Sequence, residues 1–268
     1  MQDKILLFIP AYNCEKQIPR VLNQCLNINK VINEIIVVDN QSTDNTLLAA
    51  SEAAEKIEVP VTIVRNNDNY GLGGSHKAAF QYAIDNKFDY IIVLHGDDQG
   101  TLSDLLPLII EGKHRDRDCL LGARFMPKSK LEGYSLFRTF GNYVFNNLFS
   151  IACGRKLFDL GSGLNMYSVR ALNSAQYQGF ANNLTFNYFM ILATVNWKWD
   201  MEFFPITWRE DDQISNVKLF KQSREVLKIL LRYVFMRNKF LTKNYSGREF
   251  NSYNFTIMEQ HHHRDFQK

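Results

Sequence analysis

The residues of greatest chemical promise lie at the end of one apolar run. Tyr90-Ile91-Ile92-Val93-Leu94 stops at His95-Gly96 and then delivers Asp97, Asp98 and Gln99 in succession. Two adjacent carboxylates and an amide at the carboxyl end of a buried strand are hard oxygen donors. They suit Mg2+ or Mn2+ carrying substrate phosphates rather than zinc. Side by side, such carboxylates repel, so the pair calls for a neutralising cation or basic group. The same Gly-Asp-Asp string is also an ordinary turn former, so the rest of the chain decides between the two readings.

Two further apolar strands end in polar residues. The first supplies Pro10, Ala11, Tyr12 and Asn13, with Glu15 close behind; the second supplies Asp39, Asn40, Gln41 and Ser42. In open α/β sheets ligands bind outside the carboxyl ends of the strands. A carboxylate at Asp39 can accept hydrogen bonds from a nucleobase or ribose there. Taken together, the three strand ends describe a nucleotide pocket with a divalent ion at its phosphate end.

The elements that must position these groups alternate in type. Strands are expected at Ile5 to Ile9, Ile35 to Val38, Val59 to Val64 and Tyr90 to Leu94. Asn13 can cap a helix carrying Ile18, Val21, Leu22 and Cys25, with Pro19 in its first turn. Ser42 or Thr43 can cap a helix from Thr46 to Glu55. Ser75 to Asn86 reads as a third helix, and a fourth begins near Ser103 with Pro107 in its first turn. Cys119 to Ala123 and Met201 to Trp208 read as later strands, and Gln222 to Leu241 as one long helix. Such alternation implies a largely parallel, right-handedly wound sheet.

With 268 residues, 46% hydrophobic and 22% charged, the chain can bury a sizeable core. A net charge of +3 does not argue for nucleic acid. The charge is unevenly spread, however. Lys218, Lys221, Arg224, Lys228, Arg232, Arg237, Lys239, Lys243 and Arg248 face Glu225 alone between Ser215 and Arg248. This is a basic extension able to meet phosphates or an anionic surface. The four cysteines show no C-x-x-C spacing, which makes a reducing, cytoplasmic setting the expectation. No run of 18 apolar residues is present. His261-His262-His263 reads as part of a polar, tag-like tail. Residues 1–215 are therefore expected to form the catalytic domain, and 216–268 a basic amphipathic helical extension with a polar tail.

Strung in order, Ile9-Pro10-Ala11-Tyr12-Asn13, Ile36 to Thr46, Gly71-Leu72-Gly73-Gly74, Gly96-Asp97-Asp98-Gln99, Gly122-Ala123-Arg124-Phe125, Asp159-Leu160-Gly161-Ser162-Gly163-Leu164 and Phe204-Pro205-Ile206 resemble the family 2 glycosyltransferases of GT-A fold. Within them the chain is most similar to the dolichol- or polyprenyl-phosphate sugar transferase branch, over roughly residues 4 to 220. The resemblance implies a three-layer α/β/α fold with a mainly parallel central sheet and a helical C-terminal extension. It implies an inverting enzyme using a nucleotide-diphosphate sugar, with Mn2+ or Mg2+. Pro10, Ala11, Tyr12, Asn13, Glu15, Gly71 and Gly96 would line the donor pocket, with Asp39 on the base or ribose. Asp97 would hold the metal with Gln99 nearby. Arg124 would stabilise pyrophosphate charge, Arg138 would face the acceptor, and Arg209 with Lys218 would close over the phosphates.

The chain departs from the branch in three places. His95 stands where the branch has the first Asp of its metal motif, so it could ligate the metal or hydrogen-bond a phosphate, or be a packed histidine at a strand end, with Asp98 sharing the metal role instead. The interval from Arg209 to Lys218 is longer than in the branch, and the membrane-spanning C-terminal helices of the branch are missing. A hydroxyl acceptor would need a general base, for which Asp159, Asp211 and Asp212 are candidates; a phosphate acceptor would need none. Gly71-Leu72-Gly73-Gly74 does not make a dinucleotide fingerprint, because His76 takes the third glycine position. The alternative function is a catalytically inactive sugar-nucleotide-binding or scaffold protein.

Tyr134, Phe137, Phe140, Tyr143, Val144, Phe145, Leu148 and Phe149 crowd a segment that also holds Arg138, Arg155 and Lys156. Basic amphipathic segments of this kind lie in a bilayer interface without crossing it. The expectation is peripheral attachment at the inner face of the cell membrane, where a polyprenyl-phosphate or lipid-linked glycan acceptor would be met. A dimer contact is the other use such a face could serve.

Overall fold

The computed structural model describes residues 3–28, 31–210 and 219–262. Strand β1 (Ile5–Ala11) is buried along its whole length and lies inside an eight-stranded sheet. Its side chains alternate between the two faces. Leu7 and Ile9 meet Ile18, Val21 and Leu22 of α1 (Ile18–Asn23) on one side. Leu6 and Phe8 share the opposite core with Ala79 and Phe80. Each such fully buried side chain contributes about 1.5–3 kcal/mol. A β-branched apolar run that fits this doubly covered position recurs in β2 (Glu34–Asp39), β3 (Val61–Asn66) and β4 (Tyr90–Leu94). They are connected through α2 (Thr46–Ala54) and α3 (Gly71–Asp85).

After β4 come a 3-10 turn (Leu102–Asp104), α4 (Leu106–Ile110) with Pro107 in its first turn, and β5 (Cys119–Ala123). Then follow β6 (Lys130–Glu132), α5 (Leu136–Cys153), β7 (Leu164–Ser168), α6 (Val169–Asn173) and α7 (Phe186–Asn196). The chain continues through β8 (Met201–Pro205), β9 (Thr207–Arg209), α8 (Leu219–Phe235), α9 (Arg237–Thr242) and β10 (Phe255–His261). The main sheet runs β10-β3-β2-β1-β4-β7-β5-β8, and β6 with β9 makes a separate parallel pair. Because β1 lies between β2 and β4, the carboxyl ends of β1 and β4 flank the point where strand order reverses, the place for a ligand in this architecture.

The sheet is mainly parallel, as expected, with β7 antiparallel between β4 and β5 and β10 antiparallel to β3. Other sequence expectations are corrected by these elements. β10 occupies part of the stretch expected to be a polar tail, so the extension returns to the catalytic sheet; the expected boundary at residue 215 lies outside the described residues. Its residues Phe255 to His261 are largely exposed at the sheet edge, and their sequence shows no strand alternation, which is why it read as tail. Met201 to Trp208 is two strands, β8 and β9, which belong to different sheets and are separated by Ile206. The helix expected over Gln222 to Leu241 breaks at Met236, whose backbone leaves the helical region (φ −139°).

Helix α3 starts at Gly71, one turn ahead of the expected Ser75. Gly71 sits at φ +67°, and a Cβ there would come within 2.5 Å of the Asn182 carbonyl oxygen. The glycines that argue against a helix by propensity are the ones that let it start beneath the 181–186 segment. Asn13 does not cap α1, because its side chain accepts from the Thr43 amide at 2.8 Å. Neither Ser42 nor Thr43 caps α2, whose N-cap position is Asn45 without a side-chain cap bond; Asp44, one residue earlier, accepts from the Thr46 amide at 3.1 Å and the Thr46 hydroxyl.

Candidate active site

The β1 and β4 ends are pressed together. The Gly96 amide donates to the Pro10 carbonyl at 3.0 Å, and a Cβ on Gly96 would lie 2.8 Å from that same oxygen. Beside them the loop after β2 is tied to the loop after β1. The Asn40 amide donates to the Ala11 carbonyl, the Asn13 amide to Ser42 Oγ, and the Asn45 amide to the Glu15 carboxylate at 3.0 Å. Asn13 and Glu15 thus brace the pocket's walls, while Tyr12 leaves its ring half exposed at the rim. Asp39 is fully buried. Both its oxygens accept from the Ser42 amide at 3.2 Å, and Arg65 Nε stands 3.4 Å away.

The carboxylates of Asp97 and Asp98 part company. Asp98 adopts φ +58° and turns to the α1 side, where it meets Arg20 Nε at 2.7 Å, Gln24 Nε2 at 3.0 Å and Arg209 Nη2 at 3.4 Å. Among the described residues Asp97 is met by backbone amides of its own turn, the Gln99 amide standing at a long 3.4 Å. Burial pushes its pKa up to about 6, the neighbouring Asp98 adds to this, and the backbone amides and Arg124 partly oppose it. Among the described residues no basic side chain pairs with this carboxylate, and Arg124 acts on it only at a distance. The Gln99 carbonyl accepts from the Arg209 amide at 3.0 Å, which fastens this turn to β9.

His95 does not join Asp97. Its amide donates to the Gly163 carbonyl, and its ring stands edge-on to His76 with centroids 6.0 Å apart. A Cβ on Gly163 would touch the ring at 2.8 Å. Burial lowers its pKa to about 4, so it is a neutral packed imidazole. The four residues expected around a metal are therefore not gathered into one cage, and among the described residues no group of three His, Cys, Asp or Glu could hold an ion. The remaining donor set still fits Mg2+ or Mn2+. Such ions take one or two carboxylates and complete their shell with substrate phosphates and water, and Asp97 is the uncompensated carboxylate available for that role, with Gln99 two residues on.

Arg124 and Asp159 form a fork-to-fork pair. Nε and Nη2 of Arg124 donate to the two carboxylate oxygens at 2.8 Å each, and its amide adds a third bond at 2.9 Å. The Gly161 amide supplies a fourth at 3.1 Å. So filled, Asp159 has no room to act as the general base considered above; it fixes Arg124. Burial opposes the charge on Arg124, yet Asp159 overcomes this and raises its pKa above the ordinary value. The guanidinium also lies 5.0 Å from the centre of the Trp208 ring.

Arg138, in the first turn of α5, gives Nη1 to both oxygens of Glu210 at 2.8 and 2.6 Å and lies 4.7 Å from the centre of the Tyr134 ring. Lys218, Asp211 and Asp212 lie outside the described residues. Arg20, Gln24 and Glu210 were missed by sequence reasoning. Arg20 and Gln24 sit in and just after a short helix that carried no motif, and Glu210 was overshadowed by Arg209 beside it.

An open, mainly parallel α/β sheet with a carboxylate at its switch point and a fixed arginine beside it has the architecture of the GT-A nucleotide-diphospho-sugar transferase fold. The model of the family described as "Glycosyl transferase family 2" matches residues 7–174, and the chain belongs to that family. A UDP-N-acetylglucosamine–dolichyl-phosphate N-acetylglucosaminyltransferase of Methanococcus voltae is 27% identical over 184 residues, 64% of this chain and 72% of that protein. An uncharacterized protein of Methanocaldococcus jannaschii is 31% identical over 149 residues, 55% of this chain. The chain spans 62% of the length of the latter and about half that of several undecaprenyl-phosphate 4-deoxy-4-formamido-L-arabinose transferases. In structure it is similar to glucosyl-3-phosphoglycerate synthase of Mycobacterium tuberculosis, solved with Mn2+, UDP-glucose and glycerol 3-phosphate. The TM-score there is 0.62 at 15% identity, covering 87% of this chain and 80% of that one.

Proposed function

We propose that the protein is an inverting, divalent-metal-assisted glycosyltransferase that moves a sugar from a nucleotide diphosphate, a UDP-sugar, to a polyprenyl phosphate or a lipid-linked glycan. The observation that carries this reading is Asp97, a carboxylate held short of a counter-charge at the switch point and within electrostatic reach of Arg124. The acceptor class is supported by relatives that are dolichol- and undecaprenyl-phosphate sugar transferases. The donor class is supported by the UDP-sugar that the Methanococcus relative takes and the UDP-glucose bound to the structural neighbour.

Breaking the anomeric bond leaves negative charge on the departing diphosphate. A bound Mn2+ or Mg2+ supplies Lewis-acid stabilisation of that charge, typically several kcal/mol. Asp97 would hold the ion, with Gln99 nearby. Arg124, pre-aimed by Asp159, stands ready for the same charge without reorganisation. Asp39 accepts from the base or ribose, and Arg209 closes from β9. A phosphate acceptor arrives already ionised and needs no base, which agrees with an Asp159 whose oxygens are fully engaged.

The acceptor's membrane suits the outer face of α5 and α8. Phe137, Phe140, Val144, Leu148 and Ile151 recur along one side of α5, with Phe137 70% and Ile151 79% exposed. Leu227, Leu231, Val234 and Phe235 do the same on α8, which packs against α5. Arg155, Lys156, Arg224, Arg232, Arg237 and Lys239 accompany them, a composition for an anionic bilayer surface. Among the described residues no helix is long and apolar enough to cross a membrane. The attachment proposed is peripheral, at the cytoplasmic face.

The test is nucleotide release from UDP-sugars and GDP-mannose, with Mn2+ or with chelator, in the presence and absence of undecaprenyl phosphate in detergent. Metal-dependent release that the lipid accelerates is the expected result. A protein that binds a nucleotide sugar and never releases nucleotide is the inactive scaffold instead.

A further inference from the structure

We infer that Glu210 is a positioning residue that presents Arg138 to the acceptor's phosphate; this rests on the sugar-transfer reading above and adds a residue to it. Glu210 follows β9 directly, so the strand end that sends Arg209 toward the Asp97-Asp98 turn sends the next side chain to α5. Its two oxygens hold one nitrogen of Arg138, Nη1, at 2.8 and 2.6 Å. The Tyr134 ring, 4.7 Å from the guanidinium carbon, covers one face of the plane. The Glu210 backbone is fixed as well, its amide donating to the Glu132 carbonyl at 3.0 Å.

An arginine pinned at one nitrogen and stacked on one face has little rotamer freedom left to lose. Its Nε and Nη2 donors form the edge whose fork matches two oxygens of a phosphate. Leu136, Phe137 and Phe140 are strongly exposed in the same two turns of α5, on faces of the helix other than the one from which Arg138 reaches Glu210 and Tyr134. Glu210 lowers the net charge at this spot, so its contribution is orientation, with affinity gained by pre-organisation rather than attraction.

The test titrates farnesyl phosphate, a short soluble prenyl phosphate, into the wild type, Glu210→Ala and Glu210→Gln without any donor. Farnesol and UDP are titrated in parallel. Glu210→Ala is expected to weaken farnesyl phosphate binding roughly tenfold, the scale of one hydrogen bond to a charged group. Glu210→Gln keeps an acceptor oxygen and is expected to recover part of the loss. Farnesol and UDP affinities should hold at wild-type values, which a merely structural lesion would not allow. Equal farnesyl phosphate binding by wild type and Glu210→Ala overturns the inference. So does wild type that fails to bind the probe, or an equal loss of UDP. Nucleotide release from the donor is measured separately, so a failure here leaves the sugar-transfer reading standing or fallen on its own result.

Discussion

Asp97 carries two opposite demands, and both can be measured. Its folded pKa of about 6 stands above the ordinary 3.8, so between these values the folded apo protein binds a proton that the unfolded chain does not. This contribution to stability is therefore present below that window and lost as pH rises through it. Mn2+ requires the ionised form, so its affinity should fall as pH is lowered through about 6, measurable by calorimetry on either side. Asp97→Asn should raise the melting temperature of the apo protein at neutral pH and lower transfer by about 10³-fold, the equivalent of several kcal/mol. Unchanged turnover would remove Asp97 from the metal. The carboxylate was legible in the sequence because an apolar strand delivered it. The parting of Asp98 was not, because a left-handed backbone at a non-glycine residue and a partner 78 positions away leave no local trace. Of the two readings the sequence leaves open for His95, metal ligand or packed histidine at a strand end, its packing beside His76 and against Gly163 fits the second.

At the scale of elements, the joint between α3 and the C-terminal strand turns on Lys77. It is fully buried, and its Nζ donates to the Phe180 carbonyl at 2.5 Å, Asn182 Oδ1 at 2.7 Å and the Tyr253 hydroxyl at 3.1 Å. Replacing it by methionine leaves these acceptors unmet and should cost about 3 kcal/mol in a denaturant titration. Burial lowers its pKa from 10.5 to about 7. Across that interval the unfolded chain binds the extra proton, so wild-type stability should rise with pH relative to Lys77→Met; a flat difference would mean the amine stays charged inside. The strands of the first half were legible because each is a β-branched run between turn formers. β10 was not, since FTIMEQH shows no period-two alternation and its middle residues are exposed on both faces. The break at Met236 escaped as well, because helical periodicity continues across it into α9.

Over the whole molecule, the exposed apolar and basic faces of α5 and α8 are where the proposed membrane contact is tested. Purified protein should sediment with vesicles containing phosphatidylglycerol at low salt and be released as salt screens the basic side chains. Phe137→Ser combined with Phe140→Ser should weaken this without a change in melting temperature, since both rings already stand in water. Indifference to anionic vesicles would instead leave the face to a second copy of the chain. One more result follows from the way the last strand closes the far side of the sheet. β10 gives β3 its outer neighbour, and Tyr253 just before it meets Lys77. A shortened protein that stops after α9 would bare a row of hungry amides along β3 and strip an ammonium of a partner in one stroke. Trimming what looks like dispensable tail should therefore yield insoluble material, and β2 with β3 would be the first part to lose its shape.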